Sequence, residues 1–402
     1  MSETQEGFPP LMFLNVFRTA FPQFAEKTRD GRGYAQQDAE EAWSQIVDSL
    51  RQKLRAGGAT DADTKGFIDE YLGGRFERTE ICTEPDAAVA GEDATKRDDE
   101  LFFKLSCHVS PPDVRHLRDG ISSALTETYT KTSATLGREA SYTTTSRIAR
   151  LPKYLPVHFV RFYWKRDLNK KAKVLKKVTF PHELDCVEYC TDALRDQLLP
   201  VRDKVRHLRK EEEDVERARK RQRRAAAGEQ DGERSIKAGP GPATNGGAAA
   251  SKTGDSSAPD ADAETYKTDA QLEAERTAAI LAARREVLAA VSPTLLADHG
   301  ANQTGLYELR GVVAHAGASA DSGHYTAYVK KEGKRDAVTG KRGEEDGRWW
   351  WFNDEKVSEV DADKIDALAG GGESHSALIL LYKAIELPVI GEEEENKADA
   401  KV

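Results

Sequence analysis

The sequence predicts a fold of mixed helices and strands, and four stretches carry that expectation. Leu306 to His315 alternates apolar and polar side chains, the period of a strand with one buried face. His324 to Lys331 and Trp349 to Phe352 read as two further strands. The first of these follows a small, polar loop, Ala316 to Ser322, with Gly317 and Ser319 as turn formers. Residues 36–55 repeat at helical spacing instead, with Ala39, Ala42, Trp43, Ile46, Val47, Leu50 and Leu54 on one face.

Taken in order, Pro9-Pro10 before Leu11–Phe17 predicts a short helix opening after proline. Residues 28–34 form a Gly-rich loop. In the helix at 36–55, Asp38, Glu40 and Glu41 sit in the first turn, where the dipole favours negative charge, and Gly57-Gly58 ends it. Leu101–Cys107 is the clearest strand of residues 65–108, with 84–99 a polar connection. Val114 to Tyr129 reads as helical. Leu155 to Lys165 is a strong strand interrupted by His158, Arg161 and Lys165; Lys173 to Phe180 is another, and Pro181–Asp185 starts a polar exit. From Asp203 the chain is a run of mixed charge ending in the basic stretch Arg217–Arg224. Ala225 to Ala263 is Gly/Ala/Ser-rich, cannot bury a core, and is expected to be disordered. A charged helix follows at 268–291, with Leu272, Ala279, Ile280, Ala283 and Val287 on one side and Arg276 interrupting them.

Composition bounds the function. Apolar residues are 38% and charged residues 32% of the 402, so part of the chain is not expected to pack. Lys+Arg 60 against Asp+Glu 69 gives −9, which argues against general nucleic-acid binding. The first residues lack a basic region followed by an apolar run, so no secretory signal is expected. No stretch approaches the roughly 18 apolar residues that a membrane-spanning helix needs, so no membrane partner is expected. Four cysteines in so long a chain suit reduced thiols, in the cytoplasm, the nucleus or both.

The chemistry gathers at the C-terminal strands. A histidine, His324, starts one, and Asn353-Asp354 finishes another. Hairpin-like pairing would bring them together, and an imidazole oriented by an amide or carboxylate is two thirds of a nucleophilic triad. Gly323-His324-Tyr325, then Phe352-Asn353-Asp354 with Val357, then Ser374-His375-Ser376-Ala377 with Leu380-Leu381-Tyr382, resembles the histidine box of the ubiquitin-specific proteases. Upstream, Gln36–Glu41 resembles that family's glutamine-aspartate motif and Ile148–Phe162 its central palm strand. Phe21–Lys27 points to the proteasome-associated branch. The resemblance covers nearly the whole chain apart from the insert near 203–300. One departure matters: the family's cysteine box, expected ahead of Gly7, does not occur in this sequence, nor does the ubiquitin-like domain expected before it. Met1 is therefore expected to be a boundary other than the biological start.

The resemblance implies an α+β, papain-like cysteine protease of thumb-palm-fingers architecture with an incomplete thumb, leaving apolar faces such as Trp43 and Ile46 exposed. Residues 1–60 would be the remaining thumb helices and 61–202 the fingers and palm strands. Residues 203–300 would be the insert, 301–386 the palm with the histidine box, and 387–402 an acidic tail. It implies His324 as general base and acid, Asn353 as the residue fixing its tautomer, and Asp354 as an assistant. Read without it, His324 is a strand-end histidine and Asn353-Asp354 an ordinary turn, and the turn reading coexists with the triad reading. Asp38 and Glu41, with Gly323 and Tyr325, match positions that contact ubiquitin; Asp38 and Glu41 are also ordinary first-turn carboxylates.

Cys82, Cys107, Cys186 and Cys190 lack the paired CxxC spacing of a structural zinc site, so no metal or other cofactor is expected. None sits at a helix start behind Gly-Asn, so none replaces the nucleophile. Arg217–Arg224 could be a nuclear signal or simply a solvated helix end. Gly370–Gly372 lacks the following helix and Lys-Ser/Thr of a phosphate loop, and resembles the family's loop before its last strand. Loops at Trp164–Ala172 and Ala316–Ser322 match stretches that cover the channel for ubiquitin's tail in that branch. The function implied is a ubiquitin carboxyl-terminal hydrolase cleaving isopeptide bonds after ubiquitin's last glycine, with this chain alone inactive. Its implied partners are ubiquitin, ubiquitinated proteins and the 26S proteasome. The alternative is a non-catalytic ubiquitin-binding module or pseudoenzyme.

Overall fold

Helix α1 (Leu11–Ala20) opens directly after Pro10. Helix α2 (Ala39–Lys53) is capped by Asp38, whose carboxylate accepts from the Glu40 N–H at 2.9 Å, and carries Glu40 and Glu41 in its first turn. The computed structural model describes residues 10–28, 31, 33–54, 66–87, 91, 94–165, 170–235, 269–318, 323–333, 343, 345–372 and 374–390. The exposed apolar face at this end is on α1, where Met12 is 83% exposed, rather than at Trp43 and Ile46, which are half-buried.

After α3 (Phe67–Tyr71) come β1 (Gly74–Cys82), β2 (Thr95–Phe102), β3 (Leu105–His108) and α4 (Leu117–Ala124). These lead into β4 (Thr126–Thr132), β5 (Glu139–Arg150) and β6 (Tyr154–Val160). One antiparallel sheet has the order β2-β1-β5-β4. It corrects two expectations. Residues 95–99 are strand rather than loose connection, and the helical stretch stops at Ala124 because Thr126–Thr132 pairs with β5. β-Branched threonines suit a pleated, half-solvated ladder whose polar faces blur the period that sequence reading relies on.

β6 and β7 (Phe162–Lys165) are two strands because the chain breaks at Arg161. The Arg161 N–H donates to the Phe159 carbonyl at 2.8 Å, a one-residue turn, and the buried guanidinium donates to the carbonyls of Ala377, Val174, Lys176 and Ala369. β8 (Lys170–Lys173) pairs with β7; the expected strand at 173–180 ends at Lys173, since the carbonyls of Val174 and Lys176 turn to Arg161 instead of a ladder. β9 (Glu183–Asp185) pairs with β10, so the polar exit is partly strand.

Helices α5 (Asp192–Ser235), α6 (Asp269–Ala290) and α7 (Pro293–Ala297) precede β10 (Leu306–Ala316) and β11 (His324–Lys330). β12 (Trp349–Asn353), β13 (Lys356–Val360), α8 (Asp363–Asp366) and β14 (Ser376–Ala384) complete the chain. The larger sheet runs β13-β12-β11-β10-β14-β6-β3, with β9 beside the start of β10. Tyr307, Trp349, Tyr382, Phe159 and Leu155 fill its core.

The described residues fall into two compact units, one of residues up to Arg202 with Val291–Glu386, the other of Asp203–Ala290 and residues from Leu387. In the second, Lys204–Glu286 (2.8 Å) and Arg284–Glu212 (2.9 Å) link α5 to α6. Leu281 and Val287 are buried while Leu272 is exposed, so the stripe differs from the one expected. α5 continues past Arg224 to Ser235, through the good helix formers Ala225–Ala227, Glu229 and Gln230 and despite Gly228 and Gly232; the rest of the expected disordered stretch, 236–263, lies outside the described residues, as does the tail from 391. Among the described residues no helix is long and apolar enough to cross a membrane.

Candidate active site

β11 lies between β10 and β12, with Ala316 opposite His324 and Ala327 opposite Phe352. That register sets the first residue of β11 beside the last residue of β12. His324 Nε2 lies 2.5 Å from Asn353 Oδ1 and 3.8 Å from Asp354 Oδ2. An amide oxygen only accepts, so Nε2 carries a proton, and in the neutral ring Nδ1 then keeps its lone pair. Asp354 adopts a left-handed φ of 50°, and its side chain is 79% exposed. The turn and the His324–Asn353 contact are thus one structure: the turn aims Asn353 at the ring and leaves Asp354 in solvent. The imidazole is itself 43% exposed, open to a reacting partner.

Gly323 has φ +146°, and a Cβ there would lie 2.1 Å from the Ala316 carbonyl oxygen and 2.6 Å from His315 Nε2, so only glycine fits. Tyr325 packs against the His315 ring, centroids 4.8 Å apart. Burial, then the nearby Asp38 carboxylate, pushes its hydroxyl up to about 12. The Asp38 carboxylate thus lies near enough to Tyr325 to be felt by its hydroxyl. Glu41 is on the same helix turn and exposed, and among the described residues no contact ties it to His324. Its neighbour Glu40 instead pairs with Lys104.

Three further titratable residues, His315, His375 and Lys173, carry no role in the sequence reading. His315 is fully buried, and burial followed by the Lys173 ammonium pushes its ring down to about 4. Burial and the neighbouring His324, then Lys173, lower His375. Lys173 is buried, and burial followed by the Arg161 guanidinium brings it down to about 8. The alternation of Leu306–His315 could have flagged His315 as inward; Lys173 lies in a run of lysines that carries no such signal. Of the two expected covering loops, 166–169 and 319–322 lie outside the described residues.

The four cysteines are free. Burial pushes Cys107 and Cys190 up to about 12 and Cys186 well above its ordinary value, so none of the three is a ready thiolate. Cys190 donates to the Cys186 carbonyl at 3.3 Å, and Cys82 ends β1 in the other sheet. Among the described residues no group of three or more His, Cys, Asp or Glu is placed to hold a metal ion.

The family described as ubiquitin carboxyl-terminal hydrolase matches residues 1–382. Ubiquitin carboxyl-terminal hydrolase 6 of Schizosaccharomyces pombe is 39% identical over 378 residues, 94% of this chain and 66% of that protein. Ubiquitin carboxyl-terminal hydrolases 6 and 7 of Arabidopsis thaliana are 33% and 31% identical over 93% and 96% of this chain, and 64% and 65% of their own lengths. The chain thus spans a little under two thirds of the length of these relatives. With a match across both sheets and the whole histidine-bearing region, this α+β chain belongs to the ubiquitin carboxyl-terminal hydrolase family, of cysteine peptidase type.

Proposed function

We propose that this chain supplies the base and orienting half of a thiol-dependent hydrolase that cuts isopeptide bonds after ubiquitin's C-terminal glycine. The observation that carries the reading is the 2.5 Å contact of His324 Nε2 with Asn353, which leaves Nδ1 as the base. In the reaction, Nδ1 takes the thiol proton, and the thiolate attacks the carbonyl carbon of the isopeptide. The imidazolium then gives that proton to the departing lysine amine as the C–N bond breaks, leaving a thioester on ubiquitin's glycine. A water deprotonated by Nδ1 attacks the thioester carbonyl, and the thiol leaves with the proton. Asn353 holds the ring in the tautomer both half-reactions need.

The burial of Cys107, Cys186 and Cys190, and the place of Cys82 on the other sheet, support a nucleophile that is none of the four cysteines. The chain by itself is therefore inactive, and in that state it is a ubiquitin-binding module. Gly323 and Tyr325, which flank His324, with Asp38 near the Tyr325 hydroxyl and Glu41 on the same helix turn as Asp38, form the contact surface for ubiquitin's basic tail. The Phe21–Lys27 motif supports work at the 26S proteasome, on ubiquitinated proteins, and four free thiols suit the cytoplasm or nucleus.

A fluorogenic amide of ubiquitin's C-terminus tests this. The chain alone should not turn it over; joined to a segment supplying a cysteine ahead of Gly7, it should, and His324→Ala should then abolish turnover. Turnover by the chain alone above its His324→Ala variant overturns the assignment of the nucleophile. Turnover by the joined chain that survives His324→Ala overturns the base.

A further inference from the structure

Lys173, the last residue of β8, is only 6% exposed, yet among the described residues it has no carboxylate partner. Its ammonium donates to the His315 carbonyl at 2.6 Å, and its N–H donates to the Ala318 carbonyl at 3.1 Å. The next buried cation is Arg161, which opposes its charge. An apolar side chain of that length would stabilise a buried strand end at least as well as a lone ammonium does. The donor has a use at the position it reaches.

That position is where β10 gives out. The chain leaves the sheet at Ala316 and returns as His324, paired with Ala316. Lys173 holds the outgoing arm at His315 and Ala318. The returning arm, at Gly323, presses on the Ala316 carbonyl and the His315 ring, with no room for a Cβ. The His315 ring meets Phe162 edge-on, with centroids 5.4 Å apart, and Phe162 is the residue paired with Lys173 across β7–β8. The stack thus runs from the Phe162–Lys173 rung, through His315, to Gly323 and the backbone of His324.

We infer that Lys173 is a positioning residue for the reaction: it fixes the arm of β10 against which Gly323 packs, and so sets the imidazole of His324 on Asn353. The inference rests on His324 being the base, but its test reads the imidazole and the loop rather than turnover, so either can fail without the other.

The test uses the full chain with ring-labelled histidine, as wild type, Lys173→Met and Lys173→Arg. In wild type, His324 should show one tautomer with a protected Nε2–H. Lys173→Met keeps the stem and removes the donor. It should broaden or shift the His324 ring signals and speed amide exchange at His315–Ala318 and Gly323–His324 by about tenfold, with β1 and β5 unchanged. Lys173→Arg, which can still donate to the carbonyl, should restore both. Where Lys173→Met gives no folded protein, Lys173→Gln, too short to span to the carbonyl, is read by the same signals. Unchanged His324 signals, a failure of arginine to restore what methionine removes, or faster exchange spread equally over β1 and β5 overturns the assignment.

Discussion

A methyl group at position 323 would sit 2.1 Å from the Ala316 oxygen and 2.6 Å from His315 Nε2, at a φ of +146° that L residues rarely adopt. Backbone strain of this kind costs about 1–3 kcal/mol, and here its relief must move the first residue of β11, His324. Gly323→Ala should therefore lower unfolding free energy in urea by about that amount and lengthen the His324–Asn353 hydrogen bond, seen as an upfield shift of the Nε2–H resonance. A variant with wild-type stability and ring signals would show that the loop end is slack. His324, Asn353 and Gly323 were legible in the sequence because their types and spacing form one motif. His315 and Lys173 were not, because their meaning lies in pairings 142 residues apart, which no local pattern records.

At the scale of elements, the N-terminus of α2 gives Asp38 two jobs that substitutions can separate. Its carboxylate caps the helix through Glu40 N–H, and its charge lies near Tyr325. Asp38→Asn keeps a capping oxygen and removes the charge, whereas Asp38→Ala removes both. The alanine variant should lose about 0.5–2 kcal/mol in thermal or urea unfolding and the asparagine variant much less. Both, and Asp38→Asn with Glu41→Gln most of all, should weaken binding of labelled ubiquitin, chiefly at low salt where exposed charges are least screened. Equal affinity at low salt for wild type and the double variant would remove these carboxylates from the contact. The helix itself, and β10, β11 and β12, were readable because their apolar residues recur at helical spacing in the one and dominate short runs bounded by turn residues in the others. β2, β4 and β8 were not: their threonines, lysines and acids leave no period, and what makes them strands is the partner beside them. The break at Arg161 was visible as an interrupted apolar run, but its cause, four carbonyls gathered on one buried guanidinium, belongs to the folded sheet.

For the whole molecule, the family resemblance supplied the papain-like architecture that no single element specifies, and the folded sheet adds an acid sensitivity that composition does not reveal. Burial, then Lys104, holds His158 down to about 4, and burial, then Lys173, does the same to His315. An unfolded histidine titrates near 6.5, so between about 6.5 and 4 the unfolded chain binds protons that these two rings refuse in the folded state. Their contribution to stability is complete above that window and is lost as pH falls through it, at up to about 1.4 kcal/mol per pH unit for each ring. The paired carboxylates Glu80, Glu345, Asp346 and Glu359, all held low, weaken the fold in the same direction but only below their unfolded values near 4. Urea unfolding between pH 6.5 and 5 therefore isolates the histidines. The free energy should fall steadily over that range in wild type, and His158→Gln should remove part of the slope, the rest belonging to His315 and to His375, which is also held low. A flat profile, or a slope that His158→Gln leaves untouched, would mean that these rings are protonated without cost in the folded chain.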